Sequence, residues 1–98
     1  MTIEYKFNED KLLFELNQYI NATYSGPYSK DRNFQAFEFI EDSGNGIGFT
    51  IGNVMKYAQR YGHKGTPEDF RKDLWKVVHY GLLALYCHDK RMEDLKND

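Results

Sequence analysis

The sequence predicts an all-α fold: a small bundle of about four helices behind a short N-terminal extended arm. Three observations carry that prediction. Apolar residues recur at helical spacing in four stretches, glycine- or proline-containing segments separate those stretches, and period-two alternation is confined to the first seven residues. Ninety-eight residues make one domain, and a chain that is 41% hydrophobic and 29% charged is neither disordered nor membrane-embedded.

Thr2-Ile3-Glu4-Tyr5-Lys6-Phe7 alternates as an extended arm does. Asn8 reads as the cap of a first helix over 9–23, with Glu9 and Asp10 at its positive end and a staple between Phe7 and Leu12. Leu12, Leu13, Leu16, Ile20 and Tyr24 form its apolar stripe. Ser25-Gly26-Pro27-Tyr28-Ser29 breaks the helix, and a second runs over 33–42 with Phe34, Phe37 and Ile40 on one side. After the loop holding Gly44, Gly46 and Gly48, a third helix covers 49–61 and stops at Gly62. Thr66-Pro67-Glu68-Asp69 starts the fourth, which reaches Asp89 with Phe70, Leu74, Val77, Val78, Gly81, Leu82 and Leu85 as its core stripe. Residues 90–98 read as a fraying polar tail, and residues 1–98 as a single helical domain.

Charge narrows the function classes. Residues 1–45 hold four Lys/Arg against eight Asp/Glu, whereas residues 56–76 hold six against three. A local basic region in a chain of net charge −2 suits a small anionic ligand and not an extended nucleic-acid track. No segment is apolar enough to span a membrane, no secretory leader is visible, and the lone Cys87 excludes a disulfide framework and a multi-cysteine zinc site. These features predict a cytoplasmic protein.

The third helix carries the clearest chemistry. Ile47, Ile51, Val54, Met55 and Ala58 fall on one side; Asn53, Lys56 and Arg60 fall on the other, with Tyr57 beside them. An amide, an ammonium and a guanidinium on one face form a receptor for a phosphorylated ligand; the same stripe is also what a solvated helix face looks like. Gly52, unfavourable in a helix interior by about 1 kcal/mol, fits close packing or ligand approach. The glycine loop before this helix is a second candidate phosphate cradle. On the fourth helix, His79 shares a flank with Lys72, Trp75 and Tyr86; it either binds phosphate or moves a proton, or packs as a structural histidine. Glu38, Glu41 and Asp42, with Glu68, Asp69 and Asp73, give half of the paired-carboxylate pattern of metal-dependent helical pyrophosphohydrolases. The sequence offers no histidine or cysteine pairing for a metal site, and Gly62-His63-Lys64-Gly65-Thr66 has Walker A residue types in the wrong order.

The string Gly52-Asn53-Val54-Met55-Lys56-Tyr57-Ala58-Gln59-Arg60-Tyr61-Gly62-His63-Lys64, followed by Glu68-Asp69-Phe70-Arg71-Lys72, resembles the phage nucleotide-kinase-like family of small proteins, whose pattern is G-N-x-x-K-Y-x-x-R-x-G-x-K and then E-D-[LF]-x-K. The resemblance spans Gln35 to Tyr86, without the His-Tyr pair that often opens the family's pattern. It implies a nucleotide or nucleotide-derived ligand, phosphate contacts from Lys56, Arg60 and Lys64, and a host-cell cytoplasmic location. Two function classes follow. One is a binding protein that sequesters a nucleotide signal in counter-defence, through Asn53, Lys56, Tyr57, Arg60, Lys64, Lys72 and His79. The other is a Walker-A-less nucleoside monophosphate kinase, for which Mg2+ would be the cofactor. The unpartnered arm and the 16% aromatic content predict a homo-oligomer with its site near a subunit boundary.

Overall fold

Four helices form the described chain, in the order α1 (Glu9–Ser25), α2 (Asp31–Asp42), α3 (Gly46–Arg60) and α4 (Pro67–Lys96). The computed structural model describes residues 2–25 and 31–96, the side chains of 31–35 excepted. The break expected at Gly26-Pro27-Tyr28-Ser29 and the Phe34 side chain lie outside those residues. The fold is all-α, with an irregular N-terminal arm leading into α1.

Local chemistry sets the helix ends. Thr66 and Asp69 close a reciprocal cap at the start of α4: the Thr66 N–H donates to Asp69 Oδ2 at 2.9 Å, and the Asp69 N–H donates to Thr66 Oγ1 at 3.3 Å. Gly62 and Gly65 take φ of +84° and +92°, which side-chain-bearing residues rarely adopt. At Gly65 a Cβ would also lie 2.4 Å from Asp69 Oδ2. Asn8 departs from the expected cap geometry. Its φ is +59°, and the exposed Phe7 donates its N–H to Glu9 Oε1 at 2.8 Å, so local hydrogen bonding rather than an apolar staple shapes the entry to α1. α4 continues past Asp89 to Lys96. Lys90 lies in the field of Glu41, Asp42 and, one turn on, Asp94, and those charges favour helix where polarity alone predicted fraying.

The centre of the molecule is an antiparallel hairpin of α3 and α4. Arg60 reaches Asp73, Tyr57 stacks on Tyr80 with centroids 5.9 Å apart, and Gly46 sits against Cys87, so early α3 meets late α4. α1 lies along the N-terminal half of α4. Arg71 and Trp75 both donate to the Glu15 carboxylate, from Nη2 at 3.0 Å and Nε1 at 3.2 Å, and Tyr19 stacks on Trp75. α2 meets α3 through Phe37 and Phe49, 6.2 Å between centroids.

The packed faces are only in part the ones periodicity predicts. On α3 the buried residues are Gly46 and Thr50, with Asn53, Tyr57 and Arg60 half-buried; of the expected core stripe Ile47 and Val54 are half-buried as well, and Ile51, Met55 and Ala58 are exposed. On α4 the buried residues are Asp73 and Cys87; of the expected stripe Phe70, Val77 and Gly81 are half-buried, whereas Leu74, Val78, Leu82 and Leu85 are exposed. Within α1 only Leu16 of the expected stripe is buried, and Leu12, Leu13 and Tyr24 are exposed. Helical spacing marks which side chains share a face, not which face the same chain covers. Here aromatic stacking and one charged pair hold the hairpin, and the aliphatic face is left over. The radius of gyration is 15.7 Å, against about 13 Å for a compact chain of this length.

Candidate functional site

A cleft of about 1030 Å³ opens where all four helices approach one another. α1 contributes Tyr19 and Thr23, α2 Phe37, Glu38 and Glu41, α3 Phe49 and Tyr57, and α4 Lys76, His79 and Tyr80. Its aromatic wall is continuous. Tyr19 meets His79 edge-on at 5.9 Å, His79 leans on Tyr80 at 6.4 Å, and Tyr80 touches both Tyr57 and Phe49 at 5.9 Å.

The cations gather at one end of this wall. Lys76 Nζ lies 4.9 Å from the Tyr57 ring centroid, Arg60 Cζ 4.9 Å and Lys56 Nζ 5.0 Å, all within cation–π range. Arg60 is already committed: its Nη2 donates to Asp73 Oδ1 at 2.6 Å and its Nε to Oδ2 at 3.2 Å, a two-pronged bond to a carboxylate only 2% exposed. Lys56 and Lys76 have no carboxylate in ion-pair range among the described residues. Beyond them a smaller recess of about 310 Å³ is lined by Arg60, Lys64, Gly65, Asp69, Lys72, Asp73 and Lys76. Lys76 therefore lines both cavities.

The residues predicted from sequence divide between these surroundings. Tyr57 and His79 line the large cleft; Arg60, Lys64 and Lys72 line the small one; exposed Lys56 stands over the Tyr57 ring. Asn53 Nδ2 donates to the Phe49 carbonyl at 2.9 Å within its own helix. The glycine loop is not an open phosphate cradle. A Cβ at Gly46 would overlap the Glu41 carboxylate and lie 2.8 Å from Cys87 Sγ, so the chain's own carboxylate sits beside the start of α3. Gly52 has nothing within 4 Å of a Cβ position, and so packs closely on nothing in this chain. Sequence reasoning missed Lys76, Tyr80 and Tyr19 as site residues. Lys76 stood in the basic segment, one helical turn beyond Lys72, but only the hairpin register brings it to Tyr57.

Glu38 and Asp42 line the cleft, and three other carboxylates have partners within the chain. Asp73 binds Arg60, Asp69 caps α4, and Glu41 lies against the Cys87 thiol. Among the described residues no three acidic, histidine or cysteine side chains converge on a metal-sized site. Hydrogen bonds from Arg60 hold the Asp73 carboxyl below its usual pKa, and those from Arg71 do the same for Glu15. Burial pushes the Tyr19 and Tyr80 phenols up, and burial together with Glu41 pushes the Cys87 thiol up to about 12.

Desolvation lowers the His79 pKa below 6.5, so the folded protein favours the neutral ring. The folded state then binds fewer protons than the unfolded state, and stability falls as pH drops through about 6.5 toward the lower folded value. Melting temperature measured from pH 8 to 5 is expected to decline across that window, and His79→Gln is expected to flatten the decline. Parallel curves for the two proteins would exclude a buried neutral His79.

No curated protein and no solved structure matches the chain. A family model does, over residues 22–81, a span that contains α2, α3 and the first half of α4 and hence most of the cleft wall and both basic groups. The chain belongs to DUF3310, a family described as proteins of unknown function.

Proposed function

We propose that the protein binds a phosphorylated, ring-bearing small molecule of the nucleotide class and sequesters it in the four-helix cleft. One observation carries this reading: Lys56 and Lys76, with no carboxylate in ion-pair range, share the Tyr57 ring at the end of an aromatic wall. A flat base stacks on the rings for about 1–3 kcal/mol, while its phosphate meets Lys76 and the Lys64 and Lys72 ammonium groups beyond. The resemblance to the phage nucleotide-kinase-like family supports the same ligand class, and with it a role in removing a nucleotide signal during counter-defence. Binding is favoured over phosphoryl transfer because the carboxylates nearest the basic recess, Asp69 and Asp73, already serve a helix cap and an ion pair.

Calorimetry with nucleoside monophosphates and diphosphates, the matched nucleosides and inorganic phosphate tests the reading. Nucleotides are expected to bind at least tenfold tighter than either fragment, since each fragment fills only one of the two neighbouring cavities. Absence of heat and of thermal stabilisation with every nucleotide at millimolar concentration would refute it.

A further inference from the structure

The large cleft is polarised along its aromatic wall. Lys76 and Lys56 stand at the Tyr57 end, whereas α2 brings Glu38, Glu41 and Asp42 to the end where Phe37 meets Phe49. Tyr57 and Phe49 lie on one helix, about 12 Å apart along its axis at 1.5 Å per residue. That separation matches an extended nucleoside monophosphate, from its phosphate to the far edge of its base. A phosphate held at Lys76 therefore sends the base edge toward the carboxylates of α2.

The three carboxylates differ in what they already hold. Glu41 sits beside the start of α3 and accepts a hydrogen bond from the Cys87 thiol. Asp42 lies in the field of Lys90. Glu38 makes no hydrogen bond or ion pair among the described residues, and the charge one turn on, Asp42, has its own sign. Like charges at that spacing destabilise a helix, so helix stability does not account for Glu38. A local rule broken on the wall of a cavity is expected where a residue serves a ligand.

We infer that Glu38 reads the base and that the cleft selects guanine nucleotides; the assignment rests on a nucleotide occupying the cleft as proposed above. Stacking on Phe49 and Tyr80 discriminates little, because every base has a π-face. Selection therefore falls to the polar group at the base edge. A carboxylate offers two acceptor oxygens side by side and no donor. Guanine presents two adjacent donors, N1–H and the N2 amine, and so uses both oxygens in a two-pronged, charge-assisted pair. Adenine and cytosine place one amine beside a ring-nitrogen acceptor, and uracil places one N–H between two carbonyls. Each of these sets a lone pair against a carboxylate oxygen, which penalises the wrong base as well as forfeiting a bond.

Calorimetric titrations with guanosine, inosine, adenosine and uridine monophosphates test the assignment. Inosine monophosphate shares the sugar, phosphate and ring system of the guanine nucleotide and lacks only its N2 amine. The guanine nucleotide is expected to bind at least about tenfold tighter than the other three. Glu38→Gln turns a donor toward the N2 amine and is expected to abolish that preference. Glu38 is exposed, so the variant is expected to fold as the parent does, which circular dichroism checks. Equal binding of all four nucleotides to the parent, or tighter binding of another base, overturns the assignment and leaves nucleotide binding in the cleft standing. A guanine preference that survives Glu38→Gln also overturns it, because some other group then reads the base. Absence of binding by all four removes both the assignment and the reading on which it rests.

Discussion

Arg60→Met is expected to lower the melting temperature by ~10 °C or more. Asp73 is 2% exposed, and Arg60 holds both of its carboxylate oxygens. Removing the guanidinium leaves a buried carboxylate without its counter-charge at the junction of the two central helices, and the group must either protonate or draw water inward. The double variant Arg60→Met, Asp73→Leu is expected to recover most of the loss, because apolar replacement of both partners removes the desolvation penalty together with the attraction. Thermal melts followed by circular dichroism at pH 7 separate the cases. A single variant that melts with the parent, or a double variant no better than the single, would show that the pair does not hold the hairpin.

The pair also shows how far the sequence could be read. Arg60 was legible as a cation on the Asn53-Lys56-Arg60 face, and that face was assigned to ligand because its composition is polar. Composition does not say that Asp73, thirteen residues on and across a turn, lies within reach; only the register of the antiparallel hairpin does. Helix number and order were legible, and so were the Thr66 cap and the Gly62 stop, because they depend on neighbours in sequence. Which stripe of each helix packs was not. Periodicity marks Ile51, Met55, Val78 and Leu85 as apolar faces, and those faces are the ones this chain leaves bare. Tyr19 escaped notice for the same reason: its partners Trp75 and His79 lie on a helix more than fifty residues away. The nearness of His79 to Trp75 is legible because that relation is internal to one helix, and both rings meet Tyr19.

Lys76→Met is expected to weaken nucleotide binding at least about tenfold while leaving the fold intact, because a charge-assisted contact to phosphate contributes about 1.5–3 kcal/mol. Methionine keeps the unbranched apolar stem that runs past Tyr57 and removes only the ammonium. Lys76 is chosen over Arg60 because no ion pair depends on it among the described residues, so lost affinity cannot be traced to a broken hairpin. Its position in both cavities also makes it the one cation that a bound molecule spanning them must pass. Lys64→Met and Lys72→Met, in the smaller recess alone, are expected to cost less for a monophosphate and progressively more as phosphates are added. Binding to the parent is further expected to weaken with added salt, since Lys64 and Lys72 are exposed and Lys76 only half-buried, and a screening length of about 8 Å at physiological ionic strength reaches them. Lys76→Met is expected to lose much of that salt dependence. Calorimetric titrations at two ionic strengths, with circular dichroism to confirm helix content, decide the matter. Equal affinities for parent and Lys76→Met would remove the phosphate from the Tyr57 end of the cleft, whatever the rings at the other end bind.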